Sequence, residues 1–236
     1  MIIFTKIIIS NKMSQEIDKN ILKTGTTTLG LVCKDGIVLA ADKRMSYGGE
    51  GGVSLVAGKH AQKVVPINDK LVVTTAGVVS DIQLIVKLIR AELRLKEIKS
   101  KEESSTAEAA NLLASLVYQN IRKFSPFLGL AHFLTAGRDS LGFHLYEVGA
   151  DGSISKIEDF VASGSGTVLV YGLLESEYKK NLTVEEGIKL AVKSINSSMK
   201  RDPGTGEGLD VYTITEKEIK HVLEQEVETM FVNKGK

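Results

Sequence analysis

Lys23-Thr24-Gly25-Thr26-Thr27-Thr28-Leu29-Gly30 is the stretch on which the reading of this chain turns. A glycine precedes three threonines and an apolar segment that runs to Cys33 and a Lys34-Asp35-Gly36 turn. β-Branched residues suit the pleated surface of a strand, and Asp-Gly between apolar runs is a strong hairpin signal. Residues 26–33 and 36–42 are therefore expected to pair as two strands. Their interiors are unusually apolar for a hairpin, which suggests cover on both faces. In front of the junction, residues 1–25 show no strong periodicity and read as a disposable leader.

Outward from this hairpin the hydrophobic period alternates between strand and helix. Residues 46–52 are glycine-rich and read as a flexible surface turn; they lack the Gly-Lys-Ser/Thr ending and the following helix of a phosphate loop. Residues 63–67 and 70–75 make two short strands around Asn68-Asp69. From Ser80, Ile82, Ile85, Ile89 and Leu93 recur at helical spacing, and charged residues 96–103 mark the exposed end. Ser105 and Glu108 form a capping box for a second helix, with Leu112, Leu113, Leu116, Val117 and Phe124 on one face and Pro126 as its stop. Strands return at 130–136, 142–148 and 155–162. Two more helices follow, at 167–178 and from the Thr183/Glu186 capping box to Met199. Residues 209–215 and 219–223 read as a closing hairpin, and the tail from Glu224 as a short helix or disordered chain. Strand groups separated by two helical pairs predict an α+β fold, with helices on the faces of largely antiparallel sheets.

The totals fit one globular domain. The chain has 236 residues, 43% hydrophobic and 25% charged, enough to bury a sizeable core. Thirty basic against 29 acidic residues leave a formal charge of +1, so bulk charge gives no case for a nucleic acid or an anionic membrane as partner. No apolar run reaches the ~18–20 residues that span a bilayer. Residues 1–9 are apolar, but Lys6 interrupts them, no basic region precedes them and Ser10-Asn11-Lys12 follows, so they do not read as a secretion signal. Met13, which opens a polar segment, is the expected start. The lone Cys33 cannot form an internal disulfide, which fits a reducing compartment, and its apolar strand favours a structural thiol. His60, His132, His144 and His221 have no metal-ligand spacing with it. Neither a metal nor an organic cofactor is expected.

The Gly25-Thr26 junction resembles the processing site of proteasome β-type subunits, where the protein itself cuts the bond before the first threonine. Further fragments arrive in order: Asp42 in LAADKR, Lys63 in QKVVPIN, Gly77 in TTAGVVSD, Ser165 in SGSGTVLVYG and Asp202 in KRDPGTGEGLDVY. Each has a bland reading: a threonine run is good strand sequence, Lys63 a solvated strand residue, Gly77 an ordinary turn, Ser165-Gly166 a helix cap. Their ordered coincidence favours the family. The resemblance covers essentially everything after Thr26. It implies an N-terminal-nucleophile hydrolase, a four-layer αββα sandwich of two antiparallel sheets covered by helix pairs, spanning residues 26–236, with 1–25 a propeptide removed by self-cleavage.

By the same resemblance the chain is a cytoplasmic threonine endopeptidase. Its subunits form seven-membered β rings stacked with α-type proteasome subunits, and a regulatory ATPase feeds in unfolded polypeptides. Thr26 supplies both hydroxyl nucleophile and amine base, Asp42 orients Lys63, and Gly77 N–H receives the oxyanion. Ser165, Asp202 and Thr205 hold the amine and its water. The pocket for the residue before the scissile bond maps onto Met45, Ser46, Thr75, Val79 and Gln83. The pattern departs in two places: Thr205 stands where the family commonly has serine, with Pro203 beside it, and the turn between Asp42 and Lys63 is longer. Lys43 and Lys59 compete with Lys63 by distance in sequence. Lys43 neighbours Asp42 on a strand end and should point to the opposite face, whereas Lys59 lies in polar, flexible surroundings. A ring-building subunit without activity and a bacterial HslV-type peptidase are the alternatives.

Overall fold

The computed structural model describes residues 25–48, 54–125 and 129–227. β1 (Thr27–Cys33) and β2 (Gly36–Asp42) form the expected antiparallel hairpin. Every residue of β2 is buried. Alternation sends its two sides into different cores: Val38 and Ala40 pack beneath helices, while Ile37, Leu39 and Ala41 meet a second sheet.

The first sheet runs in the order β10 (Phe160–Gly164), β1, β2, β11 (Gly208–Thr215) and β12 (Ile219–Glu226). The second runs β5 (Val64–Asn68), β6 (Leu71–Gly77), β7 (Ala131–Asp139), β8 (Gly142–Val148) and β9 (Ile154–Ile157). All these neighbours are antiparallel. Helices α1 (Val79–Ser100) and α2 (Thr106–Arg122) cover the second sheet, and α3 (Thr167–Glu177) and α4 (Val184–Met199) cover the first. The result is the four-layer αββα sandwich. Both capping boxes, Ser105 with Glu108 and Thr183 with Glu186, form as the sequence indicates.

Between the sheets lies a core that includes Leu39, Val72, Leu134, Leu145 and Val161. Gly30 faces it, and a Cβ there would stand 3.0 Å from Leu145 and 3.1 Å from Leu39. Its missing side chain gives those two leucines their room.

Four expectations change. Residues 155–162 are not one strand, because the chain crosses the sandwich at Glu158-Asp159, leaving β9 in one sheet and starting β10 in the other. Asp159 fixes that corner: its carbonyl accepts the Val32 N–H at 2.7 Å and its carboxylate the Phe160 N–H at 2.7 Å. Around the glycine-rich turn, β3 (Met45–Gly48) pairs with β4 (Ser54–Gly58), so residues 46–48 are strand; the tip, 49–53, lies outside the described residues. α2 ends at Arg122 because Lys123 turns extended, at φ −65 and ψ 131, and Phe124 is exposed rather than on the helical face. Residues 224–226 continue β12, and Lys43 draws in Glu224 and Glu226 by ion pairs. The leader up to Thr24, with Met13, lies outside the described residues, as does Pro126. Among the described residues no helix is long and apolar enough to cross a membrane.

Leu145 is fully buried in the inter-sheet core. Leu145→Ala should destabilise the isolated chain by roughly 2–5 kcal/mol, read as a lower urea midpoint at unchanged slope.

Candidate active site

Thr26 immediately precedes β1 and lines a cleft of ≈ 480 Å³. Its hydroxyl donates to the Gly25 carbonyl oxygen at 2.6 Å, and Lys63 Nζ donates to the same oxygen at 3.4 Å. On the other side of the peptide bond, Thr26 N–H donates to Ser165 Oγ at 3.2 Å. Three side chains thus converge on the Gly25–Thr26 linkage.

Lys63 is held from both ends. Its carbonyl accepts the Thr75 N–H at 2.9 Å, and its ammonium donates to Asp42 Oδ1 at 2.7 Å. Burial pulls this ammonium below the usual lysine range, while Asp42, and Asp202 at longer reach, oppose the shift. Asp42 is 0% exposed. Its Oδ1 also accepts Thr27 N–H at 2.9 Å, and its Oδ2 accepts Arg44 N–H and Gly206 N–H, each at 3.0 Å.

Behind the threonine nitrogen, Ser165 Oγ donates to Asp202 Oδ2 at 2.6 Å, and Thr205 Oγ1 donates to the same oxygen. Pro203 fits here. It occupies the second position of a turn closed by Thr205 N–H on the Asp202 carbonyl at 3.1 Å, where a fixed φ is favoured and no N–H is needed. Arg44 Nη1 donates to the Pro203 carbonyl at 2.7 Å and pins the turn.

Three glycines are dictated by close approach. Gly77 has φ +125, and a Cβ there would lie 2.2 Å from the Leu130 carbonyl oxygen. Gly25 touches Gly204 backbone to backbone: a Cβ on Gly25 would lie 2.1 Å from Gly204 Cα, and one on Gly204 would lie 2.5 Å from Gly25 Cα. Gly25, Thr26, Lys63 and Gly77 line the cleft together with Met45, Ser46, Thr75, Val79 and Gln83. Ser46 Oγ is buried with no hydrogen-bond partner among the described residues.

A family model described as "Proteasome subunit" matches residues 22–214. A proteasome subunit beta of Nanoarchaeum equitans is 43% identical over 196 residues, covering 83% of this chain and 95% of the relative. That of Ferroglobus placidus is 39% identical over 206 residues, 87% and 94% of the two chains, and that of Methanopyrus kandleri 39% over 217 residues, 92% and 99%. The chain belongs to the proteasome β-subunit family.

Within this proteasome-family chain, the other two lysines stand apart from the threonine. Lys43 Nζ pairs with Glu224 and lies 3.9 Å from Asp210 and 3.6 Å from Glu226; Lys59 is exposed, with Nζ 4.0 Å from Glu207. Asp210, His221 and Glu224 lie within 4.8 Å of one another, but the Lys43 ammonium already pairs with both carboxylates of that group. Sequence reasoning missed Arg44, although it stands two residues from Asp42. It also missed Lys87 and Arg90, which follow Gln83 on α1 at spacings of one and two helical turns and line the cleft.

Burial, with Asp35 and Glu186 adding to it, pushes the Cys33 thiol up to about 12, which leaves almost no thiolate at neutral pH. The folded chain should therefore resist iodoacetamide at pH 7.5 and gain one adduct by intact mass only after denaturation.

Proposed function

We propose that this chain is a threonine endopeptidase that first cuts its own Gly25–Thr26 bond. The observation that carries this reading is the convergence of Thr26 Oγ1 and Lys63 Nζ on the Gly25 carbonyl oxygen, at 2.6 and 3.4 Å. Thr26 Oγ1 attacks the Gly25 carbonyl carbon, the C–N bond breaks as the nitrogen takes up the hydroxyl proton, and an ester with a free Thr26 amine forms; water then cleaves the ester, releasing the leader, residues 1–25, as a carboxylate and restoring the Thr26 hydroxyl. Lys63 beside the carbonyl oxygen offsets the negative charge that develops there.

With the amine free, nucleophile and base share one residue. An α-amine has a reference pKa of about 7.7–8.0 and is substantially neutral near physiological pH, so it takes the hydroxyl proton through water while Ser165, Asp202 and Thr205 hold it in place. Lys63, held charged and aimed by Asp42, favours the ionised hydroxyl, and Gly77 N–H receives the oxyanion of the substrate carbonyl. A water hydrolyses the resulting ester. The proteasome family further supports assembly into a core particle: seven-membered β rings stacked with α-type subunits, in the cytoplasm, with an ATPase delivering unfolded chains.

The assigned pocket residues Met45, Ser46, Thr75, Val79 and Gln83 are all uncharged, and among the described residues no carboxylate lines the cleft. Cleavage after apolar or small neutral residues should exceed cleavage after acidic or basic ones in fluorogenic peptides. A dominant preference for arginine would sink the pocket assignment.

Thr26→Ala should retain the leader in N-terminal sequencing and abolish hydrolysis, whereas Thr26→Ser should keep part of both. Lys63→Ala should abolish both reactions, and Lys59→Ala should leave them largely intact. Asp42 keeps three backbone donors in Lys63→Ala, so a folded variant is expected. A processed and active Thr26→Ala chain would refute the mechanism.

A further inference from the structure

Alternation along β1 carries Thr27 away from the cleft and into the layer beneath α4, on the same side as Leu29 and Leu31. There Thr27 Oγ1 lies 2.7 Å from Ser198 Oγ and 2.6 Å from Thr205 Oγ1. Thr27 and Ser198 are 0% exposed and Thr205 1%. Water has no access to these hydroxyls, so their partners are the ones seen.

A hydroxyl has one proton to donate, so the Asp202 carboxylate, which can only accept, sets the directions in the cluster. The Asp202 carboxylate accepts the protons of both Ser165 and Thr205 on Oδ2. Thr205 Oγ1, its proton committed, accepts from Thr27; Thr27 Oγ1 in turn accepts from Ser198. The chain runs one way, from Ser198 through Thr27 and Thr205 to Asp202. Ser165 Oγ lies 2.6 Å from Asp202 Oδ2 and 3.3 Å from the Thr26 carbonyl oxygen; with its proton on the nearer, charged acceptor it faces Thr26 N–H at 3.2 Å as an acceptor.

Gly166 makes the room. A Cβ on it would lie 2.0 Å from Ser198 Oγ and 2.1 Å from Thr27 Oγ1. Its neighbour Gly164 has φ +101, and a Cβ there would lie 2.1 Å from the Thr26 carbonyl oxygen. The two glycines around Ser165 thus let both the hydroxyl chain and the Thr26 backbone come close.

We propose that Thr27 and Ser198 are positioning residues of this site: their buried hydroxyl chain anchors Thr205 on Asp202, and so holds in place the carboxylate that takes the Ser165 proton and leaves Ser165 Oγ an acceptor for the Thr26 nitrogen. The proposal rests on Thr26 being the nucleophile. Without the Thr27 hydroxyl, Ser198 loses its acceptor and Thr205 Oγ1 loses the donor that anchors it from behind, leaving its contact with Asp202 as the one hydrogen bond that places it. Linked hydrogen bonds polarise one another, so the loss reaches the far end. Neither Thr27 nor Ser198 lines the cleft, so substrate binding is left alone.

The test compares Thr27→Val, which keeps the shape and removes the hydroxyl, with Thr27→Ser, which keeps the hydroxyl and removes a methyl. Activity is measured in the assembled particle per processed site, counted by intact mass, below each variant's melting temperature. Thr27→Val should lower kcat roughly tenfold, about 1.4 kcal/mol in barrier, with KM within about twofold, and should slow release of the leader. Thr27→Ser should restore most of the rate. Ser198→Ala, which leaves β1 untouched, should lower kcat in the same direction and replaces Thr27→Val where that variant does not fold. Wild-type kcat in the hydroxyl-free variants, or Thr27→Ser as impaired as Thr27→Val, overturns the proposal while Thr26 stays the nucleophile. Hydrolysis surviving in Thr26→Ala overturns the underlying reading and this proposal with it.

Discussion

Asp42 ends β2 with a carboxylate that is fully buried and accepts hydrogen bonds from Lys63 Nζ and from the N–H groups of Thr27, Arg44 and Gly206. A buried carboxylate without partners would cost several kcal/mol; here each oxygen has two donors. Those donors come from the start of β1, the end of β2, the approach to β5 and the approach to β11. One side chain therefore ties together the strand behind Thr26, the lysine beside it and the segment that follows Asp202 and Thr205. The same satisfaction of charge gives the site its rigidity, and a rigid cation at short range is what can influence a neighbouring hydroxyl.

The sandwich supplies the rest of the constraint. Three cores stack through the molecule, and β1 and β2 lie between two of them, each contributing to both. A strand covered on both faces has no freedom to slip by one residue, since that would exchange the two sets of side chains. In β1 that register decides which threonine meets the cleft and which meets α4.

Much of this was legible because it is local. The hairpin around Lys34-Asp35-Gly36, both capping boxes and the helix beginning near Ser80 depend on residues within a turn or two of each other, and the structure has them. The site residues were named by resemblance, and the structure brings Thr26, Asp42, Lys63, Ser165, Asp202 and Thr205 into one hydrogen-bonded group. What was missed is non-local or lacks punctuation. The crossing at Glu158-Asp159 contains neither glycine nor proline, so the strand pattern reads straight through it. β3 and β4 are only four and five residues long and flank the glycine-rich tip, which hides their pairing. Thr27 reads as strand filler until α4 lays Ser198 over it, and Gly166 reads as a cap residue until the volume it vacates is seen.

The contact between Gly25 and Gly204 places a different kind of limit on the chain. Flexible side chains can yield to a larger neighbour, but here the nearest atoms on each side include backbone. A residue with a Cβ at one position cannot be accommodated by shrinking the other, since glycine is already the smallest residue there is. The two positions are thus coupled without any route to compensation, so sequence drift can be absorbed at neither. Residue 25 is consequently constrained by the folded domain it precedes as well as by whatever chemistry occurs at its carbonyl.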